Sequence, residues 1–116
     1  RYTASVKKAE EAAENAVISS IKAGLETYAT EQLITHGRQG WPANPWVALE
    51  TPPAGKTTDA NDANVDGEWT FNTTHSTISH MRGDNTVYHW DYARGNHNTG
   101  TETVGTFGAR SNGASN

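Results

Sequence analysis

The run Asp59-Ala-Asn-Asp-Ala-Asn-Val-Asp-Gly67 is the richest set of hard-cation donors in the chain. Asp62, Asn64, Asp66 and Gly67 fit positions one, three, five and six of a calcium loop. In that pattern alternate side-chain oxygens of a tight turn converge on one cation, and glycine permits the turn. An EF-hand also needs a bidentate glutamate at position twelve, which here is Thr73, and no helix pair flanks the run. Two readings stand. One is a calcium ion held by Asp62, Asn64 and Asp66, with Asp59 or Glu68 as an added ligand. The other is a solvated acidic turn ahead of a strand. No other cofactor is expected.

Five histidines occur, at 36, 75, 80, 89 and 97. A zinc enzyme would need several to converge with acids behind them. His80 and His89 flank the turn 82–85 as candidate cross-strand neighbours, with His75 nearby, and all read as exposed strand or loop residues. No serine sits in a nucleophile elbow, and no glycine-rich phosphate loop exists. The chain therefore reads as non-enzymatic, with no catalytic residue. Arg82-Gly83-Asp84 spells a receptor-recognition tripeptide at a turn tip, and Asn72-Thr73-Thr74 a glycosylation sequon, by spelling alone.

The elements that must carry these groups begin with one long helix, expected from about Ala4 to about His36. Val6, Ala9, Ala13, Val17, Ile21, Leu25 and Tyr28 recur at steps of three or four and share a face. Lys7, Lys8, Glu10, Glu11, Glu14, Lys22 and Glu26 fall elsewhere and are expected to stay wet. At 1.5 Å per residue such a helix spans roughly 50 Å. Its first turns, before about Ala13, are expected to project beyond the rest of the chain. Gly37 is a natural helix terminator. Residues 37–67 read as loop, with Trp41-Pro42 and Pro45-Trp46 in an extended stretch. The two tryptophans either pin that loop to the core or form an exposed platform. An antiparallel meander follows: 68–72, 76–81 and 86–92, with an edge strand within 101–107. Tyr88, Trp90 and Tyr92 share a face. Such a sheet can bury one face on the helix and leave the other to water. Residues 108–116 read as a frayed tail.

Composition bounds the class. One domain, residues 1–116, is expected. Leu, Ile, Val and Phe number only 15 of 116, so four Trp and four Tyr must supply much of the core. There is no cysteine, which excludes disulfides and thiolate metal sites. A net charge of −4 argues against general nucleic-acid binding. No apolar run approaches the ~18 residues of a membrane span.

The helix end Ala16-Val-Ile-Ser-Ser-Ile-Lys-Ala-Gly-Leu-Glu-Thr-Tyr28, the Gly40-Trp41-Pro42 step and the meander around Trp69, Phe71, Ile78, Tyr88 and Trp90 carry a resemblance. In this order they resemble the soluble part of a type IV pilin-like protein, most nearly a pseudopilin of type II secretion or a minor pilin. The resemblance implies an α+β fold, one helix on a three- to four-stranded antiparallel sheet. It implies a filament subunit that assembles through an N-terminal apolar helix trimmed from this sequence. Its partners would be itself, other pilin-like subunits and the membrane, and its location the bacterial cell envelope, inner-membrane anchored before assembly with a periplasmic or extracellular head. The alternative is an adhesive or ligand-binding tip module.

Overall fold

Alanine-rich sequence without proline before Pro42 favours helix, and the chain obliges. The structure, a computed structural model, describes residues 3–95, 103 and 105–115. Helix α1 runs unbroken over Ala4–His36. The Thr3 hydroxyl caps its first turn by accepting from Val6 N at 3.2 Å. Gly37 closes it with φ 79°, its amide donating to Leu33 O. Residues 4–9 are exposed on every side, as the projecting end was expected to be.

The buried line of α1 is Glu14, Ile18, Ile21 and Leu25. This corrects the expected stripe by about one residue at its N-terminal end. Val17 and Tyr28 are only partly buried, Ala13 is exposed, and Ile18 and Glu14 point inward. Two adjacent apolar residues, Val17 and Ile18, made the helical phase ambiguous. The partners of Glu14 decided it.

The fold is α+β, with one sheet of six strands in the order β1-β2-β3-β4-β5 and β6 also on β4. β1 is Lys56–Asp59, β2 Trp69–Asn72, β3 Thr77–Met81, β4 Val87–Ala93, β5 Thr106–Phe107 and β6 Ser111–Asn112. The expected meander is present as β2, β3 and β4, antiparallel throughout. The sheet is nonetheless mixed, because β1 pairs with β2 in parallel. The stretch 37–67 is therefore not all loop. It holds a short 3-10 helix, Pro45–Ala48, as well as β1. The tail is not frayed either, since β6 pairs with β4 at Tyr88↔Asn112 and His89↔Ser111. The expected edge strand survives as two residues, β5 at Tyr92–Ala93. Positions 101, 102 and 104 of that expected strand, and His97, lie outside the described residues.

Strand alternation gives the sheet two faces of different chemistry. Trp69, Phe71, Ile78, Trp90 and Tyr92 form the core with Ile18, Ile21, Leu25 and Trp46. Trp69 stacks on Trp90 at 5.6 Å between centroids, and Phe71 meets Tyr92 edge-on at 5.9 Å. On the other face Thr70, Asn72, Thr77, Ser79 and His89 are also buried, against the expectation of a wet face. The parallel β1–β2 pair explains this. Parallel neighbours need a crossover rather than a hairpin, and the acidic run 60–68 is that crossover. It is tacked to the polar face by Ala63 N donating to Ser79 Oγ at 2.8 Å and Thr74 Oγ1 donating to Ala60 O at 2.8 Å. The C-terminal segment covers the rest, with Ser115 Oγ 2.6 Å from Thr77 Oγ1 and Gly113 O 2.8 Å from His89 Nδ1.

Both loop tryptophans act as pins. Trp46 is buried and its Nε1 donates to Thr57 O at 2.8 Å. Trp41 stacks on Tyr92 at 5.7 Å and 9°. It also lies against Gly105, where a Cβ would come within 2.5 Å of the indole and 2.8 Å of Ala93 O. Gly105→Ala should thus push Trp41 off Tyr92 and cost about 1–3 kcal/mol, the range for overpacking. Thermal melting and a red shift of tryptophan emission check it. An unchanged midpoint would show that Trp41 is not wedged there.

Candidate functional site

The helix brings one carboxylate into the core, and two arginines and a histidine distant in sequence meet it. Glu14 Oε1 accepts from Arg82 Nη2 at 2.7 Å and from Arg110 Nε at 2.9 Å. Glu14 Oε2 accepts from Arg82 Nε at 3.1 Å and lies 2.6 Å from His80 Nδ1. Glu14 and Arg82 are each only 1% exposed and His80 8%. The two Arg82 bonds form the parallel fork that suits guanidinium to carboxylate. Arg82 also lies over the Tyr88 ring at 3.9 Å, and Arg110 reaches Asn15 Oδ1. Each element has its task. α1 presents Glu14, β3 presents His80, Arg82 follows directly after β3, and Arg110 comes from the segment before β6.

The electrostatics follow from this geometry. Burial pushes the Glu14 carboxyl up, but the hydrogen bonds from His80 and Arg82 and their charges prevail, holding it down at about 2. The Glu14 hydrogen bond in turn raises Arg82, against the opposing effect of burial. A buried carboxylate is tolerable here because four contacts from three cationic or donor groups satisfy it.

Several expectations are corrected by this cluster. Glu14 is not on the wet helix face with Glu11. His80 is not exposed, and it pairs with Tyr88 across the strands, while His89 pairs with Ser79 on the opposite face. His75 is exposed in the turn before β3. Among the described residues, His75, His80 and His89 therefore do not converge. Arg82 of the tripeptide is spent on Glu14, and the sequon Asn72 is 2% exposed with its amide donated to Asp62. The sequence did hold a signal for Glu14. It stands in the i, i+4, i+7, i+11 line with Ile18, Ile21 and Leu25, which is the line that a buried stripe would take.

Beside the cluster lies a cavity of about 140 Å³ lined by Glu10, Ala13, Glu14, Val17, Trp69 and His80. A carboxylate on one imidazole nitrogen is part of a hydrolytic triad. No serine, threonine or cysteine is among these lining residues, and Glu14 is already shared with two arginines. The arrangement works as a clamp joining helix, sheet and C-terminal segment.

The proposed calcium ligands are placed differently. Asp62 Oδ1 accepts from Asn72 Nδ2 at 2.8 Å and Ser115 Oγ at 2.6 Å, and Oδ2 from Ser115 N at 2.7 Å. Burial pushes Asp62 up, yet the Ser115 hydroxyl and amide and Asn72 hold it below the usual aspartate range. Asn64 and Asp66 are exposed, with Asn64 N donating to Glu68 Oε1 at 3.0 Å. The structure thus brings Asp62 to the C-terminal segment. Among the described residues no group of three or more His, Asp or Glu is arranged to hold a metal ion.

Against known proteins the chain finds no counterpart: no family model, curated protein or solved structure matches it.

Glu14→Gln should destabilise by about 3–5 kcal/mol, because Arg82 is left buried without its counter-charge. Glu11→Gln, on the exposed surface, should stay within about 0.5 kcal/mol. Because the folded Glu14 pKa lies below its unfolded value of 4.5, its contribution is full above pH 4.5 and fades as pH falls to about 2. Melting midpoints of the wild type should fall through that window, and Glu14→Gln should flatten the profile. Asp62→Ala should free the C-terminal segment, seen as faster hydrogen exchange at the Ser115 amide. Asp62 already has three donors, so added calcium followed by chelator should leave the wild-type midpoint unmoved. A rise with calcium would instead place a cation on Asp62.

Proposed function

We propose that this domain is a structural subunit of a filament, a type IV pilus or a type II secretion pseudopilus, and that it catalyses nothing. The observation that carries the reading is α1. It is 33 residues of unbroken helix in a molecule of 53 × 24 × 20 Å, and its first turns stand clear of the sheet. A rod fixed to a small head at one end is what a helical filament needs from each subunit. In the whole subunit an apolar helical segment would pack in a shared core and be held in the membrane before assembly. Within the described residues no helix is long and apolar enough to cross a membrane.

The Glu14 clamp fits this role. It fastens the rod to β3 and to the C-terminal segment by charge, at the level where the rod leaves the head. The part-buried Asp62–Ser115 contact secures the C-terminal segment in a chain that has no disulfide. Partners would be further copies and other pilin-like subunits in the bacterial envelope, without nucleic acid. The adhesive alternative would use Trp41, Trp46 or the acidic loop; the two tryptophans are engaged in packing, which leaves the acidic loop as its surface.

The test is charge reversal on the projecting rod, at Lys8 and Glu11, in the cells that make the protein. Glu14 is unsuitable because it is buried. Lys8→Glu with Glu11→Lys should cut filament formation, or export of the dependent protein, severalfold while leaving the melting midpoint of the purified domain within a few degrees. Intact assembly, together with substrate turnover that depends on His80, would replace this reading with an enzymatic one.

A further inference from the structure

His80 is held by one ring nitrogen and open at the other. The residue is 8% exposed, its ring stacks on Trp69 at 4.2 Å and 16°, and its Nδ1 lies 2.6 Å from Glu14 Oε2. The Glu14 carboxyl, held down at about 2, is ionised and can only accept. Nδ1 therefore carries the proton, and in the neutral ring Nε2 keeps the lone pair. Nε2 has no hydrogen-bond partner among the described residues. It is not sealed from solvent either. Of the described side chains, only Glu10 Oε1 is a polar atom both sealed and without a partner.

His80 lines the cavity of about 140 Å³ between α1, β2 and β3, and the other walls limit what could enter. Both Glu14 oxygens are filled by His80, Arg82 and Arg110. Glu10 offers little, with Oε1 out of reach and Oε2 accepting from Gly83 N at 3.0 Å. Ala13, Val17 and Trp69 supply apolar surface. A guest thus meets apolar walls and one open acceptor, His80 Nε2.

That combination selects by size and by donor count. An apolar cavity of about 150 Å³ admits a benzene-sized ring. A bare ring would displace water from Nε2 and leave that nitrogen unpaired, which costs affinity. An ammonium would bring three donors and a desolvated charge to a single acceptor. A carboxylate would face the Glu10 carboxylate, which no described cation pairs. A ring with one hydroxyl matches both the walls and the acceptor.

We propose that this cavity binds a small phenol, its ring against Ala13, Val17 and Trp69 and its hydroxyl donating to His80 Nε2. The site stands on the cavity and the open imidazole nitrogen, independently of the filament reading.

The experiment compares phenol with anisole, the same ring with its donor methylated. Each is titrated into ¹⁵N-labelled protein, and the His80 ring nitrogens are followed by two-bond ¹H–¹⁵N correlation. Phenol should give a saturable shift at Nε2, larger than that at Nδ1. Anisole should bind about three- to tenfold more weakly, the scale of one net hydrogen bond. Ala13→Leu, at an exposed helix position, should fill the cavity with every polar group in place. It should abolish the Nε2 shift while the melting midpoint stays within a few degrees. Equal affinity for phenol and anisole, an Nε2 resonance that phenol does not move, or an undiminished shift in Ala13→Leu would overturn the proposal and leave the cavity to water. The comparison of the two rings uses the wild type alone, so the proposal can fail even where the variant does not fold.

Discussion

Everything in this fold answers to a single buried carboxylate. Glu14 is taken out of water by the helix–sheet contact, and in that setting an uncompensated charge would be prohibitive. Arg82, Arg110 and His80 compensate it from two other parts of the chain. The consequence is geometric as well as energetic. With Glu14 turned inward, Ile18, Ile21 and Leu25 must follow it, and the rotation of a 33-residue helix against the sheet is set. Arg82 is in turn fixed on the Tyr88 ring, and Arg110 is drawn over Trp90, at 5.9 Å from the ring. A purely apolar stripe of alanine, valine and isoleucine would tolerate slippage by a residue. A forked ion pair does not.

The sheet solves a second constraint, the shortage of aliphatic residues, by using its two faces differently. The helix-facing side is built from indole, phenyl and phenol rings in stacked and edge-on contacts. The opposite side is hydroxyl, amide and imidazole, and it is buried too. That is possible because the crossover between β1 and β2 and the C-terminal segment lie across it and satisfy its polar atoms. Asp62 ties these two coverings together by reaching both Asn72 and Ser115. Polar layers of this kind add less net stability than their bond count suggests, yet they tolerate few alternative arrangements.

The sequence alone determined the long helix, its end at Gly37, the three-stranded meander and which of Tyr88, Trp90 and Tyr92 share a face. These depend on local periodicity and on backbone preferences, which are properties of short stretches. It also marked the tryptophans 41 and 46 as too large to stay wet without reason. What only the tertiary structure decided was how distant groups meet. No local pattern tells that residues 14, 82 and 110 converge, so Glu14 read as one more wet acid and Arg82 as part of a surface tripeptide. No local pattern tells that Lys56–Asp59 would pair in parallel with Trp69–Asn72, and with that pairing the acidic run ceased to be a free turn and became a crossover. Asp62 is the clearest case. Its spacing from Asn64 and Asp66 suits a cation, and only the tertiary structure shows that its oxygens also accept from Asn72 and Ser115. Spacing along a chain fixes which atoms could meet, and the desolvation of charge inside a packed core fixes which ones do.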